Sequence, residues 1–391
     1  MSSASESGGT SHATMRIVNI VGARPNFVKI APLIRAMNRR PTFAPTLIHT
    51  GQHYDETMSE RFFRDLEIAP PDFNLQVGSG SHALQTAQVM QRLDPVLDAA
   101  RPDLVLVVGD VNSTLAATIT AVKRHIMVAH VEAGLRSFDR SMPEEINRIL
   151  TDAVADLLFV TEESGRTNLL REGIDPAKIH FVGNVMIDAL EGSRRQWESS
   201  LIFDKLGIEP ATSYAVLTLH RPSNVDDSRA LAAVLNAVEA LSRDIPIVFP
   251  VHPRVRERLD HQAGGRVTES RVHVRSHGIT YTDPLGYLDF VALVSRARLV
   301  LTDSGGIQEE ATMLGVPCLT LRETTERPVT VTHGTNRVIG NNPERILDEA
   351  LRTLAHPPHR NGAPPLWDGH AAERIVDVLD THLRAHAAGL Q

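Results

Sequence analysis

The stretch Leu104-Val105-Leu106-Val107-Val108-Gly109-Asp110 is an apolar run that ends in a glycine and an acid. A helical pattern follows at 113–123, and a second apolar run, Met127-Val128-Ala129-His130-Val131, comes directly after it. Continuous apolar runs of this length are typical of strands that are buried on both faces of a parallel sheet. The stretch therefore predicts a strand, a crossover helix and a parallel neighbouring strand.

The same alternation extends in both directions along the chain. In the first half, apolar runs predict strands at 16–21, 46–49, 104–108, 127–131, 157–160 and 181–182. Between them, helical patterns predict helices at 25–38, 55–66, 82–100, 113–123, 143–154 and 164–172. The second half repeats this order, with strands at 214–219, 245–251, 272–275, 299–302 and 317–321 and helices at 228–242, 284–294, 307–314 and 343–354. The order predicts an α/β protein with two doubly wound, Rossmann-like domains.

Domain boundaries follow from this repeat. Residues 1–14 are small and polar and are expected to be a disordered extension. We predict an N-terminal domain at 15–186, a C-terminal domain at 187–366 and a last helix in 367–391 that packs back on the N-terminal domain. Ligands in such sheets bind at the carboxyl ends of the strands. The candidate site is therefore the cleft between the two domains.

Composition excludes several classes of function. The chain has 391 residues, 42% hydrophobic and 22% charged residues, and a net charge of -7. These values are typical of a soluble globular protein, and the absence of a basic stripe argues against a nucleic-acid partner. No apolar stretch reaches the ~20 residues that span a membrane, and the N-terminus does not resemble a signal peptide. We therefore expect neither a membrane nor a nucleic-acid partner.

The single cysteine, Cys318, excludes an intrachain disulfide and a cysteine-based zinc site. It lies in an apolar run, so it is interpreted as a buried small residue rather than a nucleophile, and it suits the reducing cytoplasm. The two histidine pairs with i,i+4 spacing lack an acid partner or a helical setting, and no HExxH motif is present. We expect no metal site.

A basic pair follows the first predicted strand. Arg24 and Lys29 lie at the start of the first helix, next to Gly22 and with Pro25 at the first helical position. The positive end of a helix together with two cations is a natural anion site. The alternative is a solvated basic pair, and neither a P-loop nor a GxGxxG motif supports phosphoryl transfer or a nicotinamide cofactor.

Three acids lie where strands end or helices begin. Asp110 and Glu132 end neighbouring strands, and Glu144 opens a helix after Pro143. A carboxylate at that edge of the sheet can take or return a proton. For Asp110 the alternative is a cap on the following helix, and for Glu144 it is a favourable interaction with the helix dipole or an i+4 pair with Arg148.

The second half contains the matching ligand features. His220 ends its first strand and either binds phosphate or protonates a leaving group, or else is a surface histidine in a turn. Ser304-Gly305-Gly306 begins a helix, and its free amides suit a pyrophosphate. Glu310, inside the same helix, is placed to accept a pair of ribose hydroxyls. Acids facing a pyrophosphate predict an enzyme that moves protons on a nucleotide-linked molecule.

These motifs together resemble the non-hydrolysing UDP-N-acetylglucosamine 2-epimerases, from about residue 15 to the last helix. The resemblance is carried by Gly22-Ala23-Arg24-Pro25 with Lys29, Thr50-Gly51-Gln52-His53, Gly109-Asp110, His130 to Arg136, Pro143 to Arg148, Gly183-Asn184, His220-Arg221, Asp303 to Glu310 and Thr325-Glu326-Arg327-Pro328. It implies a glycosyltransferase-B-type fold, a homodimer and inversion at C2 without a cofactor. UDP leaves with loss of the C2 proton, which gives 2-acetamidoglucal, and then adds back.

The resemblance also implies roles for individual residues. Asp110, Glu132 and Glu144 become acid/base candidates, and His220 becomes a catalytic or phosphate-binding residue. Arg24 and Lys29 belong to the catalytic cleft. UDP binding is assigned to Arg24, Arg148, Phe290, Ser304, Gly305, Gly306 and Glu310.

Other functions remain open at this point. The segment Gln52-His53-Tyr54-Asp55-Glu56-Thr57-Met58 lacks the arginine and glutamate that follow the histidine in members activated by a second substrate molecule. It resembles a branch that also acts on related sugars such as UDP-2,3-diacetamido-glucuronic acid. A glycosyltransferase, a hydrolysing epimerase and a non-catalytic sugar-nucleotide sensor are the further alternatives.

Overall fold

Two parallel sheets organise the chain, one in each half of the sequence. The computed structural model describes residues 14–51, 63–253, 255–256, 258, 274–276, 278–358, 362–387 and 389. Within these residues each sheet has seven strands, and helices lie between most successive strands along the chain. The α/β class predicted from the sequence is confirmed.

The first sheet has the strand order β3-β2-β1-β4-β5-β6-β7, and all of its pairs are parallel. Its strands are β1 (Met15–Val21), β2 (Phe43–His49), β3 (Phe73–Asn74), β4 (Leu104–Val108), β5 (Met127–Ala133), β6 (Leu157–Val160) and β7 (Ile179–Phe181). Val107 of β4 is paired with His130 of β5. Asp110, just after β4, and Glu132, near the end of β5, are therefore brought to the same edge of the sheet.

The first five described helices begin within one residue of where the sequence predicts them, and a sixth, α6, was not predicted. They are α1 (Arg24–Asn38), α2 (His82–Ala100), α3 (Asn112–Lys123), α4 (Pro143–Val154), α5 (Glu163–Arg171) and α6 (Val185–Gly192). Proline lies in the first turn of both α1 and α4, where its missing N–H costs no hydrogen bond. The helix expected at 55–66 lies mainly outside the described residues, as does the Gln52-His53 pair.

The second sheet has the order β10-β11-β9-β8-β12-β13-β14. Its strands are β8 (Ala215–Thr218), β9 (Ile247–Pro250), β10 (Val274–Ser276), β11 (Ile279–Thr282), β12 (Leu299–Thr302), β13 (Cys318–Thr320) and β14 (Asn336–Val338). The later helices are α7 (Arg194–Glu198), α8 (Ile202–Leu206), α9 (Pro222–Val225), α10 (Ser228–Leu241), α11 (Tyr287–Ser295), α12 (Gly305–Leu314), α13 (Pro328–Thr332), α14 (Pro343–Ala355) and α15 (Ala371–Ala387). Without β10, the six remaining strands have the same relative order as β3-β2-β1-β4-β5-β6 of the first sheet.

Three short strands differ from the sequence prediction. β3, β11 and β14 have two to four residues each and lack a continuous apolar run. The strand expected at 272–275 is β10 in its described part, and it pairs with β11 in the antiparallel direction. The pairing of such short strands is decided by their neighbours, so they carry little signal of their own.

The last helix, α15, packs against α1 and α6 of the first half. Asp188 of α6 accepts hydrogen bonds from the first two amides of α15 at 3.1 and 2.6 Å. Arg40, just after α1, forms an ion pair with Asp377 at 2.6 Å. Among the described residues, no helix is both long enough and apolar enough to cross a membrane.

Cys318 is fully buried at the start of β13. Burial raises the pKa of its thiol to about 12. A thiol in this setting stays protonated near neutral pH, so Cys318 behaves as the small apolar residue that the sequence predicted.

Candidate functional site

Ion pairs between the two halves mark the candidate site at the carboxyl ends of both sheets. Glu132 of the first half is bonded to Arg327 of the second at 2.7 Å. Arg148 lies 3.8 Å from Glu326, and Glu144 lies 3.6 Å from Arg221. All three predicted acid/base candidates, Asp110 included, lie within this set of paired charges.

Glu132 is the most enclosed of the three acids, with only 3% of its side chain exposed. One oxygen pairs with Lys29, and the other accepts a hydrogen bond from Arg327. Its φ is +77°, in the left-handed region, where the register of β5 against β6 also shifts. A non-glycine residue in that region is strained and persists only where its surroundings hold it.

Asp110 is held by Arg148. Its Oδ2 accepts hydrogen bonds from Arg148 Nη2 at 2.6 Å and Nε at 3.0 Å. Burial raises the pKa of Asp110, but Arg148, Lys29 and Arg327 outweigh burial, and the net pKa is lowered. The alternative role as a helix cap is not what the structure shows, because α3 follows Val111 without a side-chain cap.

Glu144, in the first turn of α4, is the most accessible of the three acids, with 37% of its side chain exposed. The sequence allowed an alternative in which Glu144 pairs with Arg148 at i+4. The structure does not show this ion pair. Arg148 instead bonds Glu145 at 2.6 Å as well as Asp110. Glu145 also accepts the amides of Ser137 and Phe138, which fixes the loop before α4.

Glu326 is surrounded by four arginines, which is a feature that the sequence analysis missed. Its nearest distances are 2.7 Å to Arg322, 3.4 Å to Arg327, 3.6 Å to Arg221 and 3.8 Å to Arg148. Burial raises the pKa of Glu326, but the arginines lower it further than burial raises it. The cluster places four guanidinium groups around one carboxylate, and Arg148, Arg327 and Arg221 also lie beside Asp110, Glu132 and Glu144, respectively.

The start of α12 lies against this cluster. Ser304 is the N-cap residue and its side chain makes no capping hydrogen bond. A Cβ added to Gly305 would lie 3.0 Å from Glu326 Oε1 and 3.3 Å from Arg327 Cζ. The amides predicted to hold a pyrophosphate are thus next to the arginines, and both sets attract anions.

His220 forms a dyad with Asp303. Its Nδ1 lies 2.8 Å from Asp303 Oδ1, and 39% of its side chain is exposed. Asp303 also accepts the amides of His220 and Arg221 at 3.1 and 2.9 Å. Burial raises the pKa of Asp303, but His220 and these amides lower it overall. An aspartate on Nδ1 fixes the ring and leaves Nε2 to exchange a proton.

Glu310 is buried beside Tyr287 of α11. Burial and the charge of Glu309 raise the pKa of Glu310 to about 8, and the Tyr287 hydroxyl opposes this rise. Glu309 instead faces the cleft, where it accepts a hydrogen bond from Arg327 Nε at 2.7 Å. Phe290 lies on α11 and packs in part against the core. The side chain of Arg24 lies outside the described part of the structure.

Comparison with known proteins gives the family. A family model described as UDP-N-acetylglucosamine 2-epimerase matches residues 35–380. The chain belongs to this family. A Methanococcus maripaludis protein named UDP-N-acetylglucosamine 2-epimerase is 41% identical over 364 residues, which cover 92% of this chain and 97% of that one. A Pseudomonas aeruginosa protein named UDP-2,3-diacetamido-2,3-dideoxy-D-glucuronate 2-epimerase is 38% identical over 93% of this chain and 99% of that one.

Solved structures of the family share the fold. The UDP-GlcNAc 2-epimerase of Methanocaldococcus jannaschii in complex with UDP-GlcNAc and UDP is 40% identical, with a TM-score of 0.86 over 94% of this chain and 100% of that one. A glycosyltransferase of kitacinnamycin is 12% identical with a TM-score of 0.57, over 95% of this chain and 99% of that one, and it shares the fold alone. The predicted glycosyltransferase-B-type architecture is confirmed.

Proposed function

We propose that this protein catalyses the reversible inversion of C2 in UDP-N-acetylglucosamine to give UDP-N-acetylmannosamine. Membership of the 2-epimerase family supports this reaction. The observation that carries it is the meeting of Asp110, Glu132 and Glu144 with the arginines around Glu326 in a single cleft. Acids beside a group of arginines suit the removal of a proton coupled to the loss of a diphosphate.

The reaction proceeds by elimination and re-addition. A carboxylate takes the proton from C2, the C1–O bond breaks, and its electron pair leaves with UDP while a C1–C2 double bond forms. The product held in the cleft is 2-acetamidoglucal. UDP then adds back to C1, and C2 receives a proton on the opposite face, so no oxidant or reductant is consumed.

Two of the acids are suited to proton exchange on the two faces of the sugar. Asp110 and Glu144 have 24% and 37% of their side chains exposed to the cleft, respectively. Both oxygens of Glu132 are engaged by buried cations. We propose that Asp110 and Glu144 exchange protons with the sugar, and that Glu132 holds Lys29 and Arg327 in place.

The leaving group has its own set of residues. In this proposal the amides of Ser304, Gly305 and Gly306 bind the diphosphate, and Arg148 and the neighbouring arginines offset the negative charge that develops as C1–O breaks. His220, fixed by Asp303, donates a hydrogen bond to the departing oxygen. Arg24, Phe290 and Glu310 complete the UDP site in this proposal, as phosphate, uracil and ribose partners.

Proton NMR of UDP-N-acetylglucosamine with the enzyme in heavy water tests the function. We expect the C2 proton signal to disappear and a manno-configured UDP-sugar to appear. Asp110→Asn and Glu144→Gln should abolish both changes. Glu163→Gln is the matched control, because Glu163 also opens a helix after a strand but faces solvent. Release of free N-acetylmannosamine, or no exchange with wild-type enzyme, would refute the proposal.

A related sugar is the second candidate substrate. The P. aeruginosa relative with a diacetamido-glucuronate substrate in its name is nearly as similar to this chain as the archaeal relative is. The same NMR experiment with UDP-2,3-diacetamido-glucuronic acid separates the two. Exchange with that sugar alone would move the proposal to it and leave the chemistry unchanged.

We also propose a homodimer. Leu84 of α2 and Leu150 and Val154 of α4 are exposed by 52%, 45% and 41%. An open groove of about 480 Å³ lies between these helices, and its walls include Met90 and Ile146. Apolar residues concentrated on one face are typical of a subunit interface. Light scattering should give twice the mass of the chain, and Leu150→Asp should halve it.

The proposed place of action is the cytoplasm, where an unpaired cysteine such as Cys318 is stable. The proposed use of the product is the supply of N-acetylmannosamine units for a surface polysaccharide. A deletion strain whose surface polysaccharide lacks N-acetylmannosamine units would support this use. An unchanged polysaccharide would contradict it.

A further inference from the structure

His130 lies in β5, two residues before Glu132, and its side chain is fully buried. Both ring nitrogens face oxygen atoms. Nδ1 lies 2.6 Å from Asp152 Oδ1, and Nε2 lies 2.9 Å from the backbone oxygen of Gly109. None of the proposed chemical steps uses this residue, although it lies directly behind two of the acids.

The two partners decide where the ring carries hydrogen. A backbone carbonyl oxygen can only accept a hydrogen bond, so Nε2 must donate to Gly109. The second oxygen of Asp152 already receives the amide of Gly134 at 3.0 Å and Arg136 Nη1 at 2.8 Å. Donors on that oxygen favour the ionised carboxylate, which can also only accept. Nδ1 must then donate as well.

The surroundings keep this aspartate ionised. Arg136 and the amide of Gly134 bond Asp152 Oδ2 whatever the state of the histidine, and both favour the carboxylate. Arg136 in turn donates to both oxygens of Glu172 at 2.8 and 2.7 Å. With a protonated His130 the group has two cations and two anions, of which Glu172 is 37% exposed and the other three groups are buried.

We propose that His130 is a constant imidazolium cation that positions the residues of the epimerase site. This inference rests on the proposed function for its kinetic consequence, but not for the protonation state itself. The cation joins three elements: β5, which carries it, the turn after β4 through Gly109, and α4 through Asp152. Those elements carry Glu132, Asp110 and Glu144, respectively.

The backbone at these places needs such support. Gly109, Glu132 and Gly134 have φ values of +69°, +77° and +78°. The His130–Asp152 pair fixes the carbonyl of Gly109 on one side of Glu132 and the amide of Gly134 on the other. Without a hydrogen on Nε2, two lone pairs would face each other at Gly109, and the turn that carries Asp110 would move. His130 is therefore a positioning residue and does not touch substrate.

NMR of protein labelled with ¹⁵N-histidine tests the protonation state in the wild-type enzyme without any substrate. At about pH 8, where a free histidine is neutral, we expect one buried ring to carry hydrogen on both nitrogens, and His130→Gln should remove its signals. His180 is the internal comparison, because burial and His382 lower its pKa. A single hydrogen on the His130 ring, with the proton on Asp152 instead, would overturn the proposal.

Kinetics test the positioning role. His130→Gln should lower kcat by ~10- to 100-fold, as expected when reacting groups are misplaced, and should leave KM within about twofold. His180→Gln should change neither. Asp152→Asn should lower kcat similarly and also convert His130 to a neutral ring in the NMR spectrum. Unchanged kcat per folded molecule in both variants would reduce His130 to a structural residue.

Failure of the two proposals can be told apart. An imidazolium signal together with inactive wild-type enzyme would refute the epimerase function but not the charge state of His130. Active wild-type enzyme with a neutral His130 ring would do the opposite. If the variants do not fold, the wild-type spectrum still decides the protonation state.

Discussion

Glu132 illustrates how single residues in this site depend on partners from distant parts of the chain. Its left-handed backbone places its carboxylate between Lys29 of α1 and Arg327 of the second half. Lys29 and Arg327 are themselves buried, and a buried cation without its anion is costly. Glu132 is therefore expected to contribute to stability as well as to catalysis.

Replacement of Glu132 by glutamine should show both effects. Glu132→Gln keeps the shape but removes the charge between the two cations, so the free energy of unfolding should fall by about 3 kcal/mol. Urea denaturation measures this loss, and turnover should fall along with it. The surface pair of Glu191 with Arg194 is the control, because Glu191→Gln should cost at most about 1 kcal/mol. Equal stability of the two variants would contradict the buried role.

Residue roles could be predicted only in part. Asp110, Glu132, Glu144 and His220 were singled out as candidates because an acid or a histidine at a strand end is unusual and because the motifs are specific to the family. Asp303, Glu326 and Asp152 were given no role, because their function depends on neighbours far away in the sequence. Distances such as those around Glu326 are properties of the folded chain and have no local pattern.

The acid Glu310 gives a prediction about pH. Burial raises the pKa of Glu310 from 4.5 to about 8. Between pH 4.5 and pH 8 the carboxyl group is therefore protonated in the folded protein and ionised in the unfolded chain. Stability from this group is complete below about pH 4.5 and is lost as the pH rises through 8, by at most about 1.4 kcal/mol per pH unit. Glu310→Gln should match wild type near pH 5 and exceed it in stability at pH 9. Parallel urea midpoints at all pH values would contradict this.

At the scale of elements, the start of α12 contains two adjacent glycines with different surroundings. Beside Gly305 lie Glu326 and Arg327, at 3.0 and 3.3 Å from the position of an added Cβ. Beside Gly306 the nearest atom is the methyl group of Met186, at 3.5 Å, which is an ordinary contact. A methyl group at Gly305 would therefore have to displace these side chains, whereas one at Gly306 is accommodated.

Alanine substitutions separate these two positions. Gly305→Ala should displace the carboxylate and guanidinium groups next to the proposed diphosphate site and weaken UDP binding by at least ~10-fold, or about 1.4 kcal/mol. Gly306→Ala is the matched control and should keep the affinity within about threefold, since alanine favours the helix. Titration calorimetry with UDP measures both. Equal affinities would show that the start of α12 does not contact the diphosphate.

Elements were predicted well where burial imposes a period. The five buried residues of β4 and the helices α2 and α4 have the bounds that their apolar patterns predict. The strands β3, β11 and β14 were missed because a partner strand, rather than their own sequence, makes them extended. Local pattern thus predicts the strands with a continuous apolar run and not these three short strands.

At the scale of the whole molecule, charge holds the two halves together across the cleft. Arg148 of the first half and Arg221, Arg322 and Arg327 of the second share the carboxylate of Glu326. Like charges this close repel unless an anion lies between them. In the proposed function the diphosphate of UDP supplies further negative charge, so substrate and domain closure are expected to favour each other.

Small-angle scattering tests this coupling. Glu326→Gln should increase the radius of gyration of the free enzyme, because the arginines then repel across the cleft, and UDP should restore the wild-type value. Glu323→Gln, an exposed acid in the same loop, is the control and should change nothing. A radius of gyration that is the same in wild type and Glu326→Gln, with and without UDP, would contradict the coupling.

The return of α15 to the first half has a mechanical consequence. The polypeptide passes from the first sheet to the second after β7, and it passes back between α14 and α15, so two covalent links join the two bodies. A single link would allow the two bodies to rotate about that link. Two separated links leave mainly one free axis of rotation, which is a hinge axis. We therefore expect the cleft to open by bending about the line through both links, and each opening to return the same pairs of residues to register.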